Sequence, residues 1–235
     1  MKITSLSTLA LATLLALSNC EQAPQSDKAK TEDAKKVDDT KAKDASELTL
    51  DIKASEVTWV GTKPTGKHAG TFGIKEGKIS VKEGQITAGS FTLDVAALKV
   101  TDIPADNEMN GKLAGHLTSE DFFDAKKFPS AKFEITAVAP YKKDEKATED
   151  KKDAEYTLKD PTHTITGNLE LKGVTKSISF PAKVTLGEGK ASAEAKFTID
   201  RKDWKVNHGK EESVGDKVIS NTVFIGLKLA AGAGA

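Results

Sequence analysis

The sequence predicts an all-β domain of antiparallel strands, closed as a barrel or packed as a sandwich, with one short helical crossover. From Leu48 onward the dominant hydrophobic period is two, which is typical of strands with one buried and one wet face. Glycine-containing turns are predicted at Glu76-Gly77, Glu83-Gly84 and Gly187-Glu188-Gly189. About eight such strands in one domain indicate a barrel or a sandwich. The alternating runs fall at residues 48–52, 91–95, 133–137, 165–171, 178–186, 191–199 and 223–229.

One stretch, at residues 106–117, has helical spacing instead. Met109, Leu113 and Leu117 recur every four residues there, and Ser119 then precedes two acidic residues in the manner of a helix N-cap. Three phenylalanines follow before a proline ends the segment. We expect a helical crossover between two strands, with aromatic side chains that plug one end of the barrel.

The composition is that of a soluble globular protein without net charge. The 235 residues are 37% hydrophobic and 30% charged, and lysines plus arginines equal aspartates plus glutamates. With no basic excess to neutralise phosphates, nucleic acid is not expected as a partner. A run of mixed charge at residues 142–153 is predicted to be a solvated hairpin insertion, with a docking surface as the alternative.

The first twenty residues predict export and lipid anchoring. One lysine precedes an apolar run over residues 6–17, which is too short to span a bilayer and is typical of a secretory signal. The sequence Leu17-Ser18-Asn19-Cys20 resembles the lipobox of bacterial lipoproteins, although Asn stands where Gly, Ala or Ser is usual. Cys20 is the only cysteine, and its acylation would remove an unpaired thiol and anchor the chain. We expect a signal peptide over residues 1–19; one without lipidation is the alternative.

The residue after the cysteine bears on the location. It is Glu21, whereas enteric-type sorting keeps lipoproteins with Asp at this position in the inner membrane. The expected location is therefore the cell envelope, on the periplasmic side, with the outer membrane favoured over the inner one.

Residues 20–47 are predicted to form a disordered tether. Apart from Val37 the segment lacks large apolar residues, so it has too little area to offset the entropy of ordering. Its charges are mixed in sign, which argues against a polybasic membrane patch. A helix is the alternative, but no apolar face is available for docking. As a coil, the tether would span on the order of 30 Å and hold the folded domain, residues 48–232, clear of lipid headgroups.

Four groups of motifs resemble those of the YceI family and occur in the family's order. They are a helix-and-aromatic signature, a strand pair, an N-terminal strand and turn, and a late strand and bend. The departures are a short turn around His68, Ser177 where proline is common, and the insertion at 142–153. The resemblance extends over residues 48–230. The helix-and-aromatic signature is HLTSEDFFD at 116–124 with KFP at 127–129 and Phe133, and the strand pair is TGNLELKGVTK at 166–176. The N-terminal strand and turn are Trp59 with HAGTF at 68–72, and the late strand and bend are IDRKDW at 199–204.

This resemblance implies a lipocalin-like eight-stranded antiparallel β-barrel in a bacterial envelope. Some family members hold polyisoprenoid chains or isoprenoid quinones in an apolar tunnel, so the implied ligand is a lipid and no other cofactor is expected. Because related barrels can pair, the resemblance also allows a homodimer.

Small residues at inward positions support a cavity independently. Ala191, Ala193 and Ala195 share the parity of Phe197, while Ala137 continues the face of Phe133 and Gly167 interrupts that of Ile165. Burying an isoprenoid chain in the volume they leave would contribute about 0.8 kcal/mol per CH₂. Close packing near a barrel corner is the alternative. The candidate tunnel residues are Trp59, Phe72, Phe91, Leu93, Leu113, Leu117, Phe122, Phe123, Phe133, Ile135, Ile165, Leu169, Phe180, Ala193, Ala195 and Phe197.

Two polar residues, His68 and Arg201, are candidates for the pocket mouth. Arg201 could donate a hydrogen bond to a quinone carbonyl. Alternatively, it could pair with Asp200 or Asp203 and stabilise the bend before Trp204, and we favour this structural role.

Catalysis is not expected. The sequence has no G-x-S-x-G elbow and no Gly-rich phosphate loop, and its four histidines show no metal-ligand spacing, so no metal site is predicted. The remaining alternatives are a protein-interaction module with a solid barrel and, less favoured, a hydrolase whose residues converge from distant strands.

Overall fold

Segments of alternating apolar and polar side chains form antiparallel strands, which pair into one continuous sheet, here called the wall. The computed structural model describes residues 23–143, 154–209 and 218–233. Besides the strands, it contains one α-helix, α1 (Glu108–Thr118), and two short 3-10 helices, Asp39–Ala42 and Arg201–Trp204. The strands are β1 (Lys30–Asp33), β2 (Ser46–Leu50), β3 (Glu56–Lys63), β4 (Gly66–Lys82), β5 (Gln85–Val100), β6 (Ser130–Pro140), β7 (His163–Leu171), β8 (Val174–Gly187), β9 (Lys190–Asp200) and β10 (Thr222–Gly232).

Eight strand positions close into an antiparallel barrel. β2 and β3 occupy one position in succession, since each pairs with β10 on one side and with β4 on the other. From β4 the wall continues through β5, β6, β7, β8 and β9 to β10. Because β10 pairs back to the first position, the predicted eight-stranded barrel is confirmed and the sandwich is not formed.

Two of the three predicted hairpins form where glycine supplies a positive φ. Glu83-Gly84 joins β4 to β5, and Glu188-Gly189 joins β8 to β9. The hairpin predicted at Glu76-Gly77 is wrong, because both residues lie inside the long strand β4 beside a β-bulge. A Cβ on Gly77 would lie 2.0 Å from Leu50 Cδ1, so this glycine is required by close packing and not by a turn.

The barrel interior holds the main apolar core. Ala191, Ala195 and Phe197 are buried with the same parity, as their spacing predicts. Ala137 is exposed, however, so its predicted place on the face of Phe133 is wrong. A β-bulge between Ile135 and Ala137 reverses the parity of β6 at that point.

The helical crossover lies between β5 and β6, as predicted, but its boundary differs. Asn107 is the N-cap of α1 and accepts a hydrogen bond from the Met109 amide. Ser119 ends the helix instead of starting one, since its amide and hydroxyl both donate to the His116 carbonyl. In the part of the chain that the structure describes, no helix has the length and apolar character needed to cross a bilayer. The predicted insertion at 142–153 falls almost wholly outside the described residues.

A segment that precedes the barrel completes its wall. Within the described residues, β8 and β9 pair with each other only along the half of their length nearest their shared hairpin. Beyond it, β1 lies between them, where it pairs antiparallel with residues 176–179 of β8. Lys28, just before β1, forms a parallel bridge with Thr198 of β9.

The disordered tether predicted for residues 20–47 is therefore wrong where this segment meets the wall. The Ala29 amide donates to the Thr198 carbonyl at 2.9 Å, and the Thr198 amide donates to the Asp27 carbonyl at 2.8 Å. Ala29 is only 2% exposed and belongs to the main core. The prediction considered only the apolar area of the segment. In the structure, the separated edges of β8 and β9 supply backbone hydrogen bonds, and the Ala29 side chain fills space in the core.

We expect Ala29→Asp to destabilise the barrel. The substitution places an unpaired carboxylate in the core or forces β1 off the wall, and either outcome should lower the free energy of unfolding by at least about 2 kcal/mol. Urea denaturation followed by circular dichroism measures the change. Ala34→Asp, at an exposed position just after β1, is the matched control and should stay within about 0.5 kcal/mol of the wild type. Equal stabilities for the two variants would show that the segment contributes nothing to the wall.

Candidate ligand-binding cavities

The first of three apolar cavities, here called the mouth cavity, lies at the end of the barrel that α1 covers. Its volume is about 160 Å³. Leu113 and Leu117 reach it from α1, and Phe122 and Phe123 reach it from the turn that follows the helix. Trp59, His68, Phe72 and Arg201 complete the predicted site residues that line it.

Two smaller cavities continue along the barrel. The middle cavity is about 70 Å³ and the far cavity about 50 Å³. The mouth and middle cavities share Phe72, Leu171, Ile199 and Ile225 as lining residues, which places these two cavities side by side. Predicted site residues line both smaller cavities: Phe72, Phe91, Leu93, Phe133, Leu169, Phe180 and Phe197 the middle one, and Phe91, Phe133, Ile135, Ile165, Phe180, Ala193 and Ala195 the far one.

A row of phenylalanines separates the middle cavity from the far one. The rings of Phe91 and Phe133 lie 5.4 Å apart, Phe133 and Phe180 5.8 Å apart, and Phe180 stacks on Phe197 at 4.2 Å. The first three of these rings line both cavities. The middle and far cavities are thus adjacent at these rings, and the three cavities follow one another along the apolar interior.

Gly167 shows why the path is narrow at this row. A Cβ on Gly167 would lie 2.4 Å from Phe133 Cζ and 2.7 Å from the Glu134 carbonyl oxygen. The space left by the missing side chain is therefore filled by the Phe133 ring, which corresponds to the close packing weighed as an alternative. Of the small residues predicted to leave volume, Ala193 and Ala195 line a cavity, the far one.

Two buried polar groups at this end of the barrel have no hydrogen-bond partner among the described residues. They are the Trp59 Nε1–H and the Thr62 hydroxyl, and their residues are 7% and 2% exposed. Along β3 the Trp59 side chain shares the inward face with Gly61, whereas the Thr62 side chain lies on the opposite, outer face. Buried donors are nearly always paired, so such groups call for an explanation. His68 differs, because its Nδ1 lies 2.8 Å from Asp102 Oδ2 at the partly exposed rim.

Arg201 is a buried brace at the mouth cavity. Its Nε–H donates to the Ser220 carbonyl, and its guanidinium N–H groups donate to the carbonyls of Val206, Gly209 and Ile219. Burial lowers the pKa of this guanidinium, against the opposite effect of the nearby Asp200 carboxylate. The structural role is the one observed, although its partners are backbone carbonyls and not the aspartates we expected. Four of its five N–H groups are used in this way, which leaves one free to meet a ligand.

Much of the lining that β10 contributes was not among the predicted site residues. Val223, Ile225 and Leu227 all line the cavities, yet their alternation was used only to predict a strand. Because the same alternation marks the inward side chains of the other strands, it already carried this signal.

Comparisons with known proteins agree with this architecture. The chain is 34% identical over 121 residues to a UPF0312 protein of Pseudomonas putida, an alignment that covers 52% of this chain and 50% of the relative. It is 33% identical over 153 residues to the UPF0312 protein plu2095 of Photorhabdus laumondii, covering 56% of this chain and 67% of the relative. The chain thus spans about half the length of most curated relatives it matches.

Two solved structures share the fold. BcnA of Burkholderia cenocepacia is 22% identical, with a TM-score of 0.54 over 77% of this chain and 98% of that one. A polyisoprenoid-binding domain from Saccharophagus degradans is 18% identical, with a TM-score of 0.55 over 81% of this chain and 99% of that one. The family model of the YceI-like domain matches residues 48–231, nearly the whole barrel. The chain belongs to the YceI-like family.

Proposed function

We propose that the barrel binds a long apolar lipid of the polyisoprenoid or isoprenoid-quinone type, as a carrier or a store. The row of three cavities along one interior is the observation that carries this proposal. A slender chain gains about 0.8 kcal/mol for each CH₂ that it buries there. The polyisoprenoid-binding domain from Saccharophagus degradans, which has the same fold, supports the same class of ligand.

The polar end of the lipid is proposed to lie in the mouth cavity. The unpaired Trp59 Nε1–H and the remaining Arg201 N–H are the donors proposed to meet it. A carbonyl or hydroxyl placed beside them would satisfy the indole N–H, which is otherwise buried without a partner. The smaller cavities offer no comparable set among the described residues, so the hydrocarbon chain points toward the far end of the barrel.

Binding a long chain requires the interior to adjust. The mouth cavity is close in volume to an engineered cavity of about 150 Å³ that holds benzene, and ligand pockets usually measure about 300–1,000 Å³. A chain that passes into the far cavity must therefore turn the Phe91, Phe133 and Phe180 rings aside. Rotation of these three side chains is the adjustment that we propose.

A binding role fits the lining better than catalysis does. In the described part of the chain, the only histidine among the lining residues is His68, which lies at the mouth and is occupied by Asp102. The only lining serine is Ser90, in the far cavity, so no serine–histidine pair is formed.

We further propose that the protein is an envelope lipoprotein anchored through Cys20, on the periplasmic side and at the outer membrane. The apolar run that ends at Cys20 supports this proposal. Cys20 lies outside the described residues, so the proposal rests on the sequence. A membrane anchor would keep the barrel close to the bilayer from which an isoprenoid lipid is drawn.

Gly61→Leu should exclude the lipid while preserving the fold. Gly61 lines the mouth cavity, and a Cβ built on it meets no heavy atom within 4 Å. We expect mass spectrometry of solvent extracts from the tag-free protein, purified from its bacterial host, to show a several-fold loss of bound isoprenoid. Gly187→Leu, at the outer end of β8 with equally open surroundings, is the control and should retain its lipid. A wild-type protein without lipid, or equal lipid in both variants, would refute the proposal.

Thr62→Val should stabilise the barrel and leave lipid retention unchanged. Its hydroxyl is buried without a partner, so removing it should raise the free energy of unfolding by about 1 kcal/mol, and the side chain lies on the outer face of β3, away from the proposed lipid. Thr166→Val is the contrasting control, since its hydroxyl bonds Ser179 Oγ at 2.7 Å and its loss should destabilise. Urea denaturation of delipidated proteins, paired with lipid content, measures both effects. A destabilised Thr62→Val protein would show that this hydroxyl has a partner in solution.

Cys20→Ser should release the protein from the membrane fraction or leave an unprocessed precursor. The substitution removes the thiol that acylation requires, and two or more acyl chains are what hold a protein firmly. Fractionation of cells with an antibody against the barrel measures this. Substituting serine for another residue of the run, Leu17→Ser, tests processing without removing the thiol. Unchanged membrane association of the Cys20→Ser protein would contradict the anchor.

A further inference from the structure

The fold brings together two histidines and an aspartate that are remote in the sequence. His116 lies in the last turn of α1, Asp121 in the turn after it, and His208 in the loop that follows the 3-10 helix Arg201–Trp204. His116 Nε2 is 3.2 Å from Asp121 Oδ2, and His208 Nδ1 is 4.0 Å from Asp121 Oδ1. All three ligand atoms lie within 4.8 Å of one another.

The surrounding structure holds these three side chains in place. The Phe122 ring is 7% exposed and lies against both imidazoles, with ring centroids 5.1 Å from His116 and 4.9 Å from His208. Arg201 binds the carbonyls of Val206 and Gly209, the residues on either side of the Asn207-His208 pair. A buried arginine thus fixes the loop that presents His208, as supporting contacts do in metal sites.

The donor set indicates a transition metal. Two neutral imidazole nitrogens and one carboxylate oxygen are ligands that Zn²⁺ prefers, with water at the fourth position of its tetrahedron. Mg²⁺ and Ca²⁺ prefer all-oxygen sites and are disfavoured by the two imidazoles. The side chains of His116, Asp121 and His208 are 45%, 54% and 37% exposed, so water can reach the metal position.

We propose that His116, Asp121 and His208 form a binding site for Zn²⁺ or a similar divalent transition metal at the rim of the mouth cavity. Metal–ligand bonds of 2.0–2.1 Å place tetrahedral ligand atoms about 3.3 Å apart. His116 Nε2 and Asp121 Oδ2 already have this spacing, and the remaining separations, which are at most 4.8 Å, must shorten by up to about 1.5 Å. The four histidines show no such site in sequence, because His116 and His208 are far apart along the chain.

The site would link the two covers of the mouth cavity. Leu117 lines that cavity beside His116 in α1, and Val206 lines it shortly before His208 in the loop. A metal bound between His116 and His208 therefore ties α1 to the loop and reduces their relative movement. Metal occupancy would in this way regulate passage through the mouth, whichever ligand the barrel holds.

Calorimetric titration of the tag-free protein with ZnCl₂ tests the site directly. We expect one equivalent to bind near neutral pH, and His208→Ala and Asp121→Asn each to weaken binding by at least about tenfold, the smallest loss typical even of second-sphere substitutions. His163→Ala is the matched control, because His163 lies on β7 with Thr162 as its partner and away from the cluster. It should bind Zn²⁺ like the wild type.

Thermal unfolding gives an independent measurement. Zn²⁺ should raise the melting temperature of the wild type and of His163→Ala, since a ligand that binds the folded state stabilises it, but not that of His208→Ala. His208 is partly exposed, so its substitution should leave the metal-free fold intact. No Zn²⁺ binding by the wild type, or equal binding by His208→Ala, would overturn the proposal. Because neither measurement involves lipid, both are independent of the proposed lipid binding.

Discussion

Closure of the strand ladder is the constraint on which the rest of the structure depends. β10 pairs with β9 along eleven residues and also with both β2 and β3, so the last strand seals the wall to the first position. Once the wall is closed, every inward side chain on eight strand positions must share one narrow interior. The cavities and their apolar lining follow from that restriction.

Part of this interior is filled by side chains and part of it is open. Aromatic rings fill the middle of the barrel, where the Phe133 ring occupies the space beside Gly167, and open volume remains in the mouth cavity under α1. The rings stabilise the empty protein by packing against each other, and they are also the groups that a long ligand must displace. Affinity for the proposed lipid would therefore be reduced by the packing energy that the rings lose when they move aside.

The wall and its contents could be predicted from the sequence because both depend on a local period. All sixteen apolar site residues line the cavities. Twelve of them lie on strands, where parity decides which side chains face inward, and four lie on α1 and the turn that follows it. Three features could not be predicted in this way. The bulge that turns Ala137 outward, the carbonyls that hold Arg201 and the meeting of His116 with His208 each depend on contacts between distant segments. The docking of residues 27–33 could not be predicted from composition for a related reason. These residues are mostly polar, but they join the wall through backbone hydrogen bonds, which do not depend on side-chain polarity.

The docking of β1 on the wall changes the geometry of any membrane attachment. If residues 20–47 were a free coil, they would be a long flexible linker and the barrel could rotate freely relative to the membrane. With Asp27 hydrogen-bonded to Thr198, only residues 21–26 separate Cys20 from the wall. Six residues reach at most about 20 Å when fully extended. If Cys20 is acylated, the docked segment would therefore keep the β8–β9 side of the barrel within about 20 Å of the bilayer, whereas the other sides could lie farther away.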